Sequence, residues 1–303
     1  MEGVEACLAV DIGGTKLAAG LVGRDGALLA HEQVGTPVTT DAEEIFATLT
    51  PLVKAVLGAA RPGVGPAGAP VVRVCGVGCG GPMDLALGTV SPLNIHAWRD
   101  FPLRARLEEL TGLTVALDND AKAFALGEGW RGAARGTADY LAMVVSTGVG
   151  GGIVSGGRLL DGASGNAGHV GHVIVEPEGR RCGCGARGCL EAEASGTAIA
   201  AVTGRPPAQA PPDVVARTGR LVGRAVASVA NLLDLELAVV AGSVALGFGS
   251  PFFAAANEEL GARARLSFSA GARIVPGALG PHGPVVGAGA VGWRALGDTV
   301  TGP

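Results

Sequence analysis

The segment from Asn166 to Glu191 reads NAGHVGHVIVEPEGRRCGCGARGCLE and gathers two histidines and three cysteines within one short stretch. Cys182, Cys184 and Cys189 form a C-x-C-x-x-x-x-C run with glycines at 183, 185 and 188. Glycine permits the tight turns that let three sulfurs converge on one point. Three thiolates and one imidazole make the closed tetrahedral set of a structural zinc. His172, upstream across a short apolar run, is the natural fourth ligand, with His169 the open alternative. A disulfide between Cys182 and Cys184 would be badly strained, and pairing Cys184 with Cys189 leaves an odd thiol. The expected site is therefore Zn²⁺ on His172, Cys182, Cys184 and Cys189.

A second chemistry lies near the start of the chain. An apolar run, Ala6–Val10, meets Asp11-Ile12-Gly13-Gly14-Thr15-Lys16 and then a second apolar run, Leu17–Val22. A hairpin tip nearly free of side chains lets backbone N–H groups approach a phosphate, with the Thr15 hydroxyl and Lys16 ammonium beside it. Asp11 could hold Mg²⁺ through water. By itself such a tip is more often only a turn, and it matches neither a GxxxxGK[ST] loop nor a GxGxxG fingerprint. The plan recurs, however. Leu141–Val145 leads to Ser146, Thr147, Gly148, Val149, Gly150, Gly151 and Gly152, then to Ile153-Val154. Two strand–turn–strand units half a chain apart predict an internally duplicated fold with two phosphate turns.

The acid–base candidate is Asp120. Val115–Leu117 reads as a short strand that delivers Asp118-Asn119-Asp120 to the start of a helical run, Ala121–Gly129. Polar side chains at a strand end in an α/β protein reach the crevice where ligands bind. Either Asp118 or Asn119 is expected to cap the helix. Capping needs only one residue, so Asp120 remains as general base, with Asn119 as its hydrogen-bonding neighbour. The strand Val71–Val77 runs into Gly78-Cys79-Gly80-Gly81-Pro82, where Gly80 and Gly81 let backbone approach a ligand. Gly242 and Ser243, after the strand Leu237–Val240, suit an adenosine or ribose face.

The elements between these motifs alternate in α/β fashion. Asp41–Leu57 is an amphipathic segment, Gly58–Pro70 a Gly/Pro/Ala loop, Ser91–Trp98 a loop entering the helix Leu103–Leu110, with Trp98 as packing. Glu191–Thr197 leads into a helix, Gly204–Pro212 is a Pro-rich loop, and Val214–Leu233 has a long helical pattern. Pro276–Pro284 reads as loop and Val285–Leu296 as a final small-residue helix. The 303 residues suffice for two domains. A hydrophobic fraction of 48% and a mean hydropathy of +0.40 come from alanine and valine. No apolar run reaches the ~20 residues of a membrane span, and Glu2 and Glu5 do not suit a signal peptide. Scattered Cys7, Cys75 and Cys79 fit a reducing cytoplasm, and a net charge of −4 gives no nucleic-acid footprint. A soluble cytoplasmic protein is expected, without a nucleic-acid or membrane partner.

Five motifs in order resemble the ROK family of sugar kinases and regulators: DIGGTK at 11–16, ND at 119–120, STGVGGG at 146–152, AGHVGH at 167–172 and CGCGARGCLE at 182–191. The resemblance implies a two-domain α/β fold of the actin-like ATPase (ribonuclease H-like) class with duplicated halves. One domain would comprise 1–118 plus about 290–303, the other 119–289 with the zinc. It implies ATP between two lobes, its phosphates on the Asp11–Lys16 and Ser146–Gly151 turns. It further implies Mg²⁺, a sugar contacted by Asn119, Asp120, His169, His172 and Glu191, and a homodimer or higher homo-oligomer. Asp120 would take the proton from the 6-hydroxyl attacking the γ-phosphate. The zinc would hold the loop so that His172 and Glu191 present fixed polar groups.

One position departs from the family pattern. The usual AGE-x-GH has Glu where this chain has His169, and a neutral imidazole both donates and accepts where a carboxylate only accepts. Some N-acetylmannosamine kinases of the family carry His there, whereas Ser91–Trp98 looks more like the glucokinase branch. Glucose therefore ranks slightly ahead of N-acetylmannosamine or another amino sugar. A sugar-responsive regulator is the reading from another class. Such regulators carry a helix-turn-helix domain before the first turn, and only ten residues precede Asp11.

Overall fold

The computed structural model describes residues 4–60 and 69–302. Most of the expected 58–70 loop lies outside them. In chain order the elements are β1 (Glu5–Ile12), β2 (Lys16–Gly23), β3 (Leu28–Gly35), α1 (Ala42–Gly58), β4 (Val71–Cys79), β5 (Met83–Asp84), β6 (Thr89–Val90), α2 (Leu103–Thr111), β7 (Val115–Asn119) and α3 (Asp120–Arg131). There follow β8 (Tyr140–Val145), β9 (Val149–Ser155), β10 (Arg158–Leu159), α4 (Leu190–Ala194), α5 (Gly196–Thr203), α6 (Pro212–Leu233), β11 (Leu237–Ala241), α7 (Ser243–Phe248), α8 (Ser250–Arg263), β12 (Arg273–Pro276) and α9 (Gly283–Ala295). No helix among the described residues is long and apolar enough to cross a membrane.

The chain divides into two compact units. The first comprises 1–131, 161–167 and 279–300, the second 132–160, 168–278 and 301–303. This differs from the expected boundary after residue 118, because α3 packs on α9 and β4 and so stays with the first sheet.

Among the described residues, the first unit holds a five-stranded sheet in the order β3-β2-β1-β4-β7. β1, β2 and β3 form an antiparallel meander, while β4 and β7 join in parallel. β1 is buried on both faces, as its near-continuous apolar run requires. Its Leu8, Val10 and Ile12 pack with Ile45, Phe46 and Leu49 of α1. The alternate residue Ala9 packs with Val285 and Ala288 of α9. α9 lies backbone against sheet: a Cβ on Gly76 would come 2.1 Å from the Ala288 carbonyl oxygen. Asp41 caps α1 by accepting the Glu43 N–H at 2.9 Å.

The second unit repeats the plan, with order β10-β9-β8-β11-β12, the first three strands antiparallel and the last two parallel. The duplication inferred from the two glycine turns is thus a duplication of whole sheets. α6 and α8 cover one face, packed so closely that a Cβ on Gly223 would lie 2.2 Å from the Ala256 carbonyl oxygen. Both phosphate-turn candidates sit at the first hairpin of their own sheet.

Candidate active site

In the first unit, parallel strands bring three polar segments to one level. Asp11 of β1 registers with Gly78 of β4, and Gly78 with Asp118 of β7; Cys79 then pairs with both Ile12 and Asn119. β7 runs two residues further than expected, so Asp118 and Asn119 belong to the strand and Asp120 opens α3. The Asn119 and Asp120 side chains both accept the Ala121 N–H, at 3.0 and 2.8 Å. Asn119 thereby does the capping. Asp118 instead turns to Lys122, 2.9 Å away.

Asp11 is buried, and its carboxyl is pushed up to about 7, first by burial and then by the Asp120 charge, against the pull of Lys16. Asp120 keeps some exposure, yet the surrounding protein displaces enough water to raise its pKa, while the Ala121 N–H opposes the shift. The buried Cys79 thiol is also driven up, by burial and then by Asp120 and Asp11. Two adjoining carboxylates in a poorly solvated place can accept a proton or share a cation.

The turn between β1 and β2 is held from within. Gly13 donates its N–H to the Lys16 carbonyl at 2.9 Å, and the Thr36 hydroxyl donates to the Gly13 carbonyl at 2.7 Å. Gly14 lies close under a neighbouring side chain: a Cβ there would come within 2.9 Å of Asn94 Cβ, Cγ and Nδ2. On its other side, Asn94 Oδ1 would be 3.2 Å from a Cβ on Gly80. Asn94 was not singled out in the sequence, and it spans two of the glycine tips that were. Its loop is rigid because Trp98 is fully buried, stacked on Phe101, and Arg99 donates to the Pro92, Ile95 and Trp98 carbonyls. Gly81 accepts the Leu93 N–H at 3.2 Å.

In the second unit, the β8–β9 turn is narrower than expected. Gly150 and Gly151 lie within β9, paired with Val144 and Met143, which leaves Ser146, Thr147 and Gly148 as the tip. The tip's carbonyls are engaged: Ser146 accepts from the Gly196 N–H, Thr147 from the Thr197 hydroxyl, and Gly148 from the Ser146 N–H. The Ser146 and Ser243 hydroxyls meet at 2.9 Å. Gly242 has φ +97, and a Cβ there would lie 2.3 Å from the Val145 carbonyl oxygen, so only glycine fits.

Gly151 serves a different purpose, admitting Val170 at what would be 2.6 Å from a Cβ. Gly168 and Gly171 likewise press backbone to backbone on Gly151 and Val149. His169 and His172 are thereby set on β9 with their rings 6.0 Å apart and 26° from parallel. The Glu191 carboxylate accepts the Val149 N–H at 2.9 Å, joining the start of α4 to the phosphate-turn candidate.

His172, Cys182, Cys184 and Cys189 bring their ligand atoms within 4.8 Å of one another. His169 is not among them. Cys184 and Cys189 sulfurs are 3.7 Å apart, and Cys182 Sγ is 3.6 Å from His172 Nδ1. Metal–ligand lengths of ~2.3 Å to sulfur and ~2.05 Å to nitrogen in a tetrahedron give edges of about 3.8 and 3.6 Å. Two edges of the donor set thus match a four-coordinate zinc, and its chemistry, three thiols and an imidazole, suits that ion. The loop is clamped by the buried Glu193, which accepts from the Arg180 N–H and pairs with Arg217 at 2.7 Å.

Comparison with known proteins follows the same lines. An N-acetylmannosamine kinase of Escherichia fergusonii is 38% identical over 258 residues, covering 80% of this chain and 84% of that protein. A ROK hexokinase from Thermus thermophilus superposes with a TM-score of 0.79 at 32% identity, over 97% of this chain and 99% of the other. A ROK family glucokinase from Streptomyces griseus, solved with glucose and AMPPNP, gives a TM-score of 0.80 at 29% identity, over 95% and 99%. The duplicated α/β architecture is that of the actin-like ATPases to which these kinases belong. The ROK family model matches residues 7–292, and the chain belongs to the ROK family.

Proposed function

We propose that this ROK sugar kinase transfers the γ-phosphoryl group of ATP to the 6-hydroxyl of N-acetylmannosamine. The observation that carries the chemistry is the approach of Asp11, near the end of β1, and Asp120, at the start of α3, on either side of Gly78 and beside a turn that ends in Lys16. Asp120 accepts the proton of the attacking hydroxyl. Its raised pKa makes it a better base than an ordinary aspartate. Asn119 orients the sugar, and Gly13, Gly14, Thr15 and Lys16 receive phosphate. In the second unit Ser146, Thr147 and Gly148 receive the other phosphates, with Gly242 and Ser243 beside the nucleoside. The carbonyls of 146–148 are engaged by internal donors, which leaves the Ser146 and Thr147 hydroxyls and the tip amides beyond that of Ser146, itself bonded to the Gly148 carbonyl, as the donors proposed for phosphate. Gly150 and Gly151 shape the strand rather than touch phosphate. Mg²⁺ accompanying ATP neutralises charge on the transferring group. Asp11 would hold it, since two adjoining carboxylates repel each other until a cation lies between them.

Zinc on His172, Cys182, Cys184 and Cys189 fixes the loop that carries the sugar contacts. A His172 that ligates through Nδ1 keeps Nε2 for a sugar hydroxyl, and Glu191 is held by the Val149 N–H. His169, exposed beside His172, supports N-acetylmannosamine over glucose, as does the 38% identity to an N-acetylmannosamine kinase. Glucose is the second reading, favoured by the glucose-bound Streptomyces griseus relative.

ADP release with Mg-ATP across glucose, mannose, N-acetylglucosamine and N-acetylmannosamine tests both. N-acetylmannosamine is expected to show the highest kcat/KM. Asp120→Asn is expected to lower kcat by ~10²–10⁴, the contribution of a general base, with sugar affinity nearly kept. A preference for glucose would transfer the proposal to the second reading, and turnover of Asp120→Asn near the unmodified rate would remove Asp120 as base.

A further inference from the structure

Lys122 is 1% exposed, on the first turn of α3, in a place where a lysine is costly. Its ammonium has three acceptors: Asp118 Oδ1 at 2.9 Å, Asp161 Oδ1 at 3.0 Å and the Gly165 carbonyl at 3.0 Å. Arg294 of α9 closes the ring, 2.8 Å from Asp161 Oδ2 and 3.5 Å from Asp118 Oδ2. Two carboxylates and two cations balance. Buried ion pairs of this kind are weak stabilisers, and a well-packed apolar side chain often serves stability as well or better. What an apolar side chain cannot do is fix three oxygens at hydrogen-bond distance.

The three oxygens belong to two chain segments that both lead directly into candidate sugar contacts. Asp118 stands two residues before Asp120. The segment 161–167, a part of the first unit by its packing, ends two residues before His169. Asn166 ties the same segment to the Met83 carbonyl at 3.3 Å. We propose that Lys122, with Asp161 and Arg294, is a positioning clasp for the acceptor sugar, holding the Asp118–Asp120 junction and the 161–167 approach to His169 on one ammonium. Lys122 touches neither substrate and acts through the residues it holds. The inference rests on the sugar-kinase reading above.

Lys122→Met keeps the length and removes the charge. Steady-state kinetics with Mg-ATP and the best sugar, thermal midpoints and zinc content would be measured on it and on Asp161→Asn. Asp161 is 46% exposed at its side chain and breaks the loop arm alone, which keeps the test open if Lys122→Met does not fold. The expected result for either variant is a tenfold or larger rise in sugar KM and fall in kcat, with ATP KM within twofold and zinc retained; the midpoint is little changed in Asp161→Asn, whose carboxyl is half exposed, and lower in Lys122→Met, which leaves the buried Asp118 carboxylate to Arg294 alone. Kinetic constants within twofold of the unmodified enzyme would overturn the clasp. So would equal losses for ATP and sugar in step with a lowered midpoint, since that is general destabilisation. Absence of turnover by the unmodified enzyme with every sugar would overturn the proposed function, and the clasp with it.

Discussion

Asp11→Asn separates what Asp11 costs the fold from what it does for the reaction. Asp11 is 7% exposed and its carboxyl stands at about 7 against an ordinary 3.8, chiefly through burial, then through Asp120. An acid whose pKa rises on folding leaves stability complete below the ordinary value and loses it as pH climbs through the folded one. Holding the carboxyl at about 7 rather than 3.8, at ~1.4 kcal/mol per tenfold change in proton affinity, puts the cost of ionised Asp11 at roughly 4 kcal/mol at pH 8. At pH 5 the folded carboxyl is protonated and the cost falls to about 2 kcal/mol. Asparagine removes the titration at nearly constant volume. The ligand-free Asn variant should therefore be the more stable protein at pH 8, with its advantage shrinking by about half at pH 5. Urea unfolding followed by tryptophan fluorescence reads this directly, because Trp98, Trp130 and Trp293 all belong to the first unit, as Asp11 does. The same variant should lose turnover with Mg-ATP. An advantage independent of pH, or a less stable variant at pH 8, would refute the burial argument. A more stable variant with full turnover would refute the role in holding Mg²⁺.

Two further outcomes follow from the site. Cys184→Ser should drop bound zinc, measured by elemental analysis, from about one per chain to well under a tenth, with sugar KM rising and ATP KM little affected, since the proposed sugar contacts lie on this loop. Unmodified protein purified without zinc would sink the assignment. Gly14→Ala brings a methyl within 2.9 Å of three Asn94 atoms. Asn94 is exposed and can swing aside, so stability should fall by only ~0.5–1 kcal/mol, while KM for both ATP and sugar rises as the carboxamide leaves its place between Gly14 and Gly80. Unchanged KM values would make Asn94 a bystander.

The candidate phosphate turns were legible because glycine recurs there with a hydroxyl and an acid: Gly14 lies against the Asn94 side chain, and Gly242 has positive φ against the Val145 carbonyl. The duplication was legible from the same turns. β3 was not, since Leu28–Gly35 is an edge strand, exposed along most of its length, with no apolar alternation to mark it. The hydrophobic pattern of α8 is weak because its buried face is only Phe252, Ala256 and Leu260. The run Val149–Gly152 reads as a loop by composition yet forms a strand, because its backbone pairs with β8 while its missing side chains make room for Val170. Composition identifies where side chains are absent; only the neighbours say whether the vacancy serves a ligand or a packed backbone.

Lys122 marks the same limit from the opposite side. One lysine in an alanine-rich helical run reads as surface, whereas its acceptors come from Asp118 four residues upstream and from Asp161 and Gly165, some forty residues downstream. No local pattern reports such a partner set. The charge is tolerated because Arg294 and the two aspartates complete a neutral ring. A residue whose burial is unfavourable alone and whose contacts all precede candidate sugar ligands is best accounted for by the geometry it imposes. That is why its loss should raise the sugar's KM and lower kcat while leaving ATP KM nearly unchanged, a selectivity that a lowered melting point alone does not produce.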